Sequence, residues 1–407
     1  MAAKKILIFS LAYFPKHVGG AEVSIKEITD RISDIEFHMV TNRFDSALPK
    51  VEKIGNVLVH RVGIATKDPS MANLRKFPLH LNKFLFQLLA AWTAWRLHRE
   101  HQYDGIWAVM AHSCGVPAAL FKVFAPRVPY VLTLQEGDPP EQVERTMRPV
   151  WPLFARAFTS ADAVTAISTF LGRWARRRGF KGALTIVPNA VDVEFFSQGH
   201  SEESINEIRD TFGKRAGDVF VVTTSRLVYK NAVDDVIRAL SLLPRNVHFI
   251  ILGIGPDEAK LKGLVGELDL SERVRFLGQI GHDEMPKYLK ACDIFIRASR
   301  SEGMGNSFVE AMAAGLPVIA TQEGGLSDFL FDEKRNPGIP TTGWAVDKNS
   351  PTEIAAAVKD IMGNPEKVRT VVATAKRMVI ERYDWNLVAK DMREKVFNRV
   401  LGKSTVA

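Results

Sequence analysis

The sequence predicts an α/β protein of two doubly wound, Rossmann-like domains. Three observations carry that expectation: a length of 407 residues, short apolar strand-like runs alternating with helical periodicity through both halves, and a polar break near the middle. One hydrophobic core rarely grows beyond about 250–300 residues, so a chain of this length divides. Short apolar strands separated by helices call for a parallel sheet covered on both faces.

In the first half, Lys5-Ile6-Leu7-Ile8-Phe9 reads as a buried strand. Gly19-Gly20 follows it, then Ala21, Ile25, Ile28 and Ile32 at helical spacing. Further strands are expected at 36–41, 57–62, 105–110, 129–134, 163–167 and 183–187. The second half repeats the theme, with strands at 219–224, 248–252, 273–277, 293–297 and 317–320 and helices at 231–243, 283–291, 306–314 and 351–362. The predicted domains are 1–195 and 217–383. Between them, the polar, Gly-containing stretch 196–216 reads as a linker. A last helix is expected over about 384–402.

Composition narrows the class. Hydrophobic residues make up 46% and charged residues 25%, as in a soluble globular protein. The two cysteines, Cys114 and Cys292, match no zinc or redox spacing, which argues for a reducing compartment. The N-terminus lacks a signal peptide's apolar stretch, and no run reaches the ~20 apolar residues of a spanning helix. The expected location is therefore cytoplasmic. The net charge of +8 is lopsided: residues 1–195 hold 25 Lys and Arg against 17 Asp and Glu, and the remainder balances. The first half should therefore meet an anionic partner.

Ligands of open parallel sheets bind at the carboxyl ends of the strands. Strand 219–224 runs into Ser225-Arg226-Leu227-Val228-Tyr229-Lys230, which places a guanidinium and an ammonium in one loop, suited to a diphosphate. Two surface cations would look the same. Strand 248–252 ends in Gly253-Ile254-Gly255-Pro256, where glycines allow close approach of a ligand or simply make a turn. Strand 293–297 leads through Glu302-Gly303-Met304-Gly305-Asn306-Ser307 to a helix N-terminus, whose free N–H groups favour phosphate. Glu302 and Glu310 could accept hydrogen bonds from sugar or ribose hydroxyls. Ser307-x-x-Glu310 also reads as a capping box, which needs no ligand.

Glu302 to Glu310, continuing through Ala311-Met312-Ala313-Ala314-Gly315-Leu316-Pro317, resembles the Glu-x7-Glu signature of the retaining glycosyltransferase group-1 family, which has the GT-B architecture. Gly19-Gly20-Ala21-Glu22, Val187-Pro188-Asn189, Ser225-Arg226-Leu227-x-x-Lys230, Gly253-x-Gly255-Pro256 and Gly324-Gly325 fit the same family in order and spacing. The resemblance implies two facing domains and a last helix that crosses back to the first. It implies that Gly19-Gly20 lets the backbone approach the donor diphosphate. Arg226 and Lys230 would stabilise the departing nucleotide, and Glu302 would face the transferred sugar. Met304, Gly305, Asn306 and Ser307 would line the sugar–phosphate turn, and Glu310 would hold the ribose. Two positions depart from the family: Asn231 replaces a frequent Gly, and Gln135 stands where many members carry His. Glu136, Asp138 and His112 are other polar groups at strand ends of that domain; His112 reads most simply as a helix or turn residue.

The expected activity is transfer of a hexose-type sugar from a UDP- or GDP-sugar to an acceptor hydroxyl, with retention and with no metal or other cofactor. The acceptor is expected to be a glycan or lipid-linked precursor. Residues 73–102 combine Arg75, Lys76, Lys83, Arg96 and Arg99 with an apolar Phe- and Trp-rich run, either a core helix or one lying on an anionic membrane surface. Residues 145–181 add eight more basic residues against one acid. No nucleic-acid-binding motif appears. Other readings are a GT-B nucleotide-sugar epimerase or phosphorylase and a non-catalytic basic protein that binds membrane or nucleic acid.

Overall fold

The computed structural model describes residues 3–16, 18–70 and 73–402, without the Arg75 side chain. Its contacts divide the chain into two compact units. Unit 1 comprises the residues up to Asn189 and the segment from Trp385, and unit 2 is Ala190–Asp384.

Unit 1 runs β1 (Lys4–Phe9), α1 (Gly20–Asp30), β2 (Ile35–Asn42), β3 (Val51–Ile54), β4 (Val57–Val62), α2 (Asn82–His101), β5 (Gly105–Val109), α3 (Val116–Phe124) and β6 (Tyr130–Leu134). Then come α4 (Pro140–Met147), α5 (Trp151–Thr159), β7 (Ala163–Ala166), α6 (Thr169–Arg177) and β8 (Ala183–Ile186). The sheet order is β3-β4-β2-β1-β5-β6-β7-β8, parallel except for the β3–β4 hairpin at one edge. Ile6–Phe9 of β1 are buried on both faces, as a central parallel strand requires. Ile8 pairs with Met39 on one side and Trp107 on the other. From β1 the chain steps outward to β2, whereas β5 leads outward the other way, so the strand order switches direction between β1 and β5.

Helix α2 answers the choice between core helix and surface helix with both. Phe86, Ala90, Ala91, Ala94 and Leu97 are buried, while Phe84, Leu88 and Trp92, one turn apart on the opposite stripe, are 72%, 66% and 56% exposed.

Unit 2 begins with α7 (Val193–Ser197) and α8 (Glu202–Phe212). It continues through β9 (Val219–Thr224), α9 (Val233–Leu240), β10 (Val247–Leu252), α10 (Glu258–Glu267), β11 (Val274–Gly278), α11 (Met285–Lys290) and β12 (Ile294–Arg297). It ends with α12 (Asn306–Ala314), β13 (Val318–Ala320), β14 (Trp344–Ala345), α13 (Pro351–Gly363) and α14 (Pro365–Arg382). The sheet order is β11-β10-β9-β12-β13-β14, all parallel, with its switch point between β9 and β12. The polar stretch 196–216 is not an open linker. Most of it is helix α8, whose Ser201 hydroxyl caps the Ser204 N–H and whose Gly213 ends it at φ +68°. Phe212 anchors it by stacking on Phe220 at 5.8 Å. The division between units falls earlier than residue 195, at Asn189/Ala190.

The last segment rejoins unit 1 as α15 (Trp385–Asp391), a π-helical stretch Met392–Phe397 and α16 (Asn398–Leu401). Phe397 packs against Trp107 at 5.4 Å and Phe37 at 6.1 Å, and Arg393 pairs with Asp34.

Candidate functional site

In unit 2, the loops after β9 and β12 flank the switch point; the first carries Arg226 and Lys230, the second carries Glu302, Met304 and Gly305 and leads into α12 with Asn306, Ser307 and Glu310, while Gly253 and Gly255 follow β10. Arg226 is exposed, and its guanidinium makes no hydrogen bond or ion pair among the described residues. Its loop is held through the main chain: Asn231 Nδ2 donates to Arg226 O at 2.6 Å, and Arg300 N donates to Lys230 O at 2.7 Å. Asn231 therefore ties the loop with its side chain, and the left-handed residue is the next one, Ala232, at φ +53°. Arg300 reinforces the same turn. It donates to Tyr229 O, to both oxygens of Asp234 and to Asp235, and its guanidinium lies 4.3 Å from the Tyr229 ring centroid.

Gly253 and Gly255 serve a backbone purpose. The β10 loop runs against the β9 loop, with Leu227 N donating to Ile254 O at 3.0 Å and Asp257 N to Leu227 O at 3.1 Å. A Cβ on Gly253 would lie 1.9 Å from Ser225 O, and one on Gly255 2.2 Å from Leu227 O. These glycines support the Arg226 loop from behind, which is a reason for them beyond approach to a ligand.

Beyond β12, Arg297 organises the other side. This buried guanidinium donates to Ser299 Oγ (3.1 Å), Thr224 O (3.3 Å) and Ser307 Oγ (2.8 Å), is ion-paired with Glu302, and stacks 4.4 Å from Phe308. Glu302 also accepts from Gly303 N at 3.1 Å, and Gly325 N donates to Glu302 O at 3.0 Å. Glu302 thus sits at the mouth of α12 as a fixed, charge-compensated acceptor. Sequence reasoning missed Arg297 because an arginine ending the apolar run Ile294-Phe295-Ile296 reads as a solvated strand end.

Helix α12 starts at Asn306, with Gly305 as N-cap at φ +85° and no side-chain cap. A Cβ on Gly305 would meet the Phe308 ring at 2.6 Å, so only glycine fits. Met304 is buried, leaving its main chain to face the turn. The capping-box reading of Ser307 and Glu310 fails. Ser307 is inside the helix, with its hydroxyl taken by Arg297, and Glu310 lies a turn further on. Burial pushes the Glu310 carboxyl above its usual range, against the pull of His282 and Arg297. His282 Nε2 lies 4.0 Å from Glu310, and its ring stacks on Phe195 at 5.8 Å.

In unit 1, Gly19 is the N-cap of α1, and its N–H donates to Glu22 Oε2 at 2.7 Å, so that loop closes on its own side chain. Gly20 opens the helix. Burial raises the Glu22 carboxyl, partly offset by these backbone donors. Gln135 is buried, and its amide donates to Ser24 Oγ (2.9 Å) and accepts from Asn189 Nδ2 (3.4 Å). Glu136, buried beside it, accepts from Ala111 N at 2.6 Å and Gln135 N at 3.0 Å, with His112 Nδ1 3.5 Å away.

Among the described residues, no three His, Cys, Asp or Glu side chains are grouped to hold a metal, and no helix is long and apolar enough to cross a membrane.

Comparison with known proteins covers both units. The family model "Glycosyltransferase Family 4" matches residues 18–195, and "Glycosyl transferases group 1" matches residues 204–378. An uncharacterised glycosyltransferase of Methanocaldococcus jannaschii is 26% identical over 397 residues, covering 97% of this chain and 98% of its own length. A GDP-mannose-dependent alpha-(1-6)-phosphatidylinositol monomannoside mannosyltransferase of Mycobacterium tuberculosis is 28% identical over 74% of this chain and 77% of its own. The crystal structure of Anabaena HepE in complex with UDP superimposes with a TM-score of 0.75 at 21% identity, over 97% of this chain and 100% of that one. With both halves matched in order and two Rossmann-like sheets, the chain belongs to the group-1 glycosyltransferases and has the GT-B fold.

Proposed function

We propose that this glycosyltransferase moves a hexose-type sugar from a UDP- or GDP-sugar to an acceptor hydroxyl, with retention and without a metal ion. The observation that carries the reading is the exposed, unpaired Arg226 on a loop braced by Asn231, Arg300 and the Gly253–Gly255 turn, across the switch point from the N-terminus of α12. Cleavage of the sugar–phosphate bond leaves negative charge on the diphosphate. Preorganised cations and helix N–H groups stabilise that charge as it develops. Arg226 and Lys230 take this role, with the main chain of Met304, Gly305, Asn306 and Ser307. Glu302 accepts hydroxyls of the transferred sugar, and Glu310 those of the ribose.

Retention is the outcome that the family resemblance implies, and the partners of Glu302 bear on its route. A carboxylate engaged by Arg297 and the Gly303 N–H is a poor nucleophile, which favours same-face attack assisted by the leaving phosphate over a covalent intermediate. The Mycobacterium tuberculosis relative uses GDP-mannose and the HepE crystal holds UDP, so both bases stay open. Thermal shift against UDP, GDP and their sugars tests the reading: one cognate nucleotide should stabilise the protein, with full activity in excess EDTA. Failure of every nucleotide to stabilise it would sink the donor assignment.

The acceptor is lipid-linked in this reading. The exposed stripe Phe84, Leu88 and Trp92 on α2, with Phe77 before it, is flanked by exposed Lys76, Lys83, Arg96 and Arg99, and Arg96 stacks 5.4 Å from Trp92. Such a face suits an anionic bilayer surface. Flotation with phosphatidylglycerol vesicles, but not phosphatidylcholine vesicles, is the expected result.

A further inference from the structure

We propose that unit 1 carries a hydroxyl-binding site formed by His112 and Glu136, which grips a sugar or polyol acceptor. The assignment of that ligand as an acceptor rests on the function proposed above; the site itself rests on the geometry of unit 1.

The Glu136 side chain is completely buried, and among the described residues it has no Lys or Arg partner. Its two oxygens are fixed by main-chain donors, Ala111 N on Oε1 and Gln135 N on Oε2. Among the described residues, the one side chain paired with it is His112, whose Nδ1 lies 3.5 Å from Oε1. A buried carboxylate next to an imidazole fixes the proton on the facing nitrogen and leaves the other as an acceptor. With Nδ1 facing Glu136, Nε2 is the ring nitrogen left for a ligand, and the His112 side chain is 35% exposed.

The topology marks the same spot independently. His112 lies in the turn after β5 and Glu136 in the loop after its neighbour β6, beside the switch between β1 and β5, where open parallel sheets bind their ligands. Gln135 is engaged elsewhere, its amide bonded to Ser24 and Asn189. An imidazole held in this way presents Nε2 to a ligand, and a sugar hydroxyl, which both donates and accepts, can bond to it. His112 makes the contact, and Glu136 is the positioning residue.

The test uses the full chain labelled with ¹⁵N-histidine, with the His112 signals identified through His112→Asn. The proposal expects the Nδ1–H tautomer in the wild type and a shift toward the mixed tautomers of free imidazole in Glu136→Gln. It expects methyl α-mannopyranoside, methyl α-glucopyranoside or myo-inositol to move the His112 Nε2 resonance. It also expects His112→Asn to leave the thermal shift given by UDP or GDP unchanged. An Nε2–H tautomer in the wild type would overturn it, as would a resonance that none of the three polyols moves. Should no nucleotide stabilise the protein, the donor reading fails while these histidine readouts still decide the site.

Discussion

Arg297 bonds Glu302 with one arm of its guanidinium and Ser307 with the other, so a strand end, a loop acid and the first turn of α12 form one unit. Both partners of the ion pair are nearly buried, their side chains 8% and 11% exposed. Arg297→Met strands a buried carboxylate, a loss of about 3–5 kcal/mol in comparable cases. A marked fall in melting temperature is expected, partly recovered in Arg297→Met with Glu302→Gln. A double variant no more stable than Arg297→Met would show that the charge is not what matters.

Arg226→Ala and Lys230→Ala should each lower turnover about 100- to 1000-fold with the cognate donor, the usual cost of losing one group that stabilises developing charge. Steady-state kinetics on the purified protein measures this. Wild-type turnover in either variant removes that residue from the leaving-group role.

Gly255→Ala sets a new methyl against the Leu227 carbonyl, whereas Gly263→Ala in α10 meets nothing within 4 Å. Overpacking costs about 1–3 kcal/mol, and an exposed helical Gly→Ala gains up to about 1 kcal/mol. Thermal melts should therefore move in opposite directions for the two substitutions. Equal shifts would contradict the support given by the β10 loop to the β9 loop.

Acid should weaken unit 1 through His60. Burial first, then His38, His101 and Arg96, hold its pKa down to about 4 from the ordinary 6.5. Between those values the unfolded chain binds a proton that the folded chain does not, so stability is full above 6.5 and declines as the pH falls toward 4. His60→Gln should flatten the melting temperature between pH 7 and pH 5. An unchanged slope would place the acid sensitivity elsewhere.

The alternation of strands and helices was legible because each buried parallel strand is a short apolar run, and Ile6 to Phe9 or Val219 to Thr224 leave no other reading. The loops carrying Arg226 and Glu302 were legible because they follow such runs. Three features were not. The antiparallel strand β3 is half-exposed and charged, so it lacks an apolar signature. Helix α8 was hidden because the Ser and Gly that cap it look like linker residues. The partners of Glu302 and Glu136 were invisible because Arg297 and His112 meet them only through folding, and no spacing announces a tertiary ion pair.

Phe397 covers Trp107 and Phe37 with a ring synthesised after the whole of unit 2. A nascent chain therefore emerges with its first sheet unsealed and must wait for the returning segment before that aromatic surface closes. Ending translation at Asp384 would leave unit 2 able to mature while its companion stays sticky, prone to chaperone capture or to clumping with its own kind.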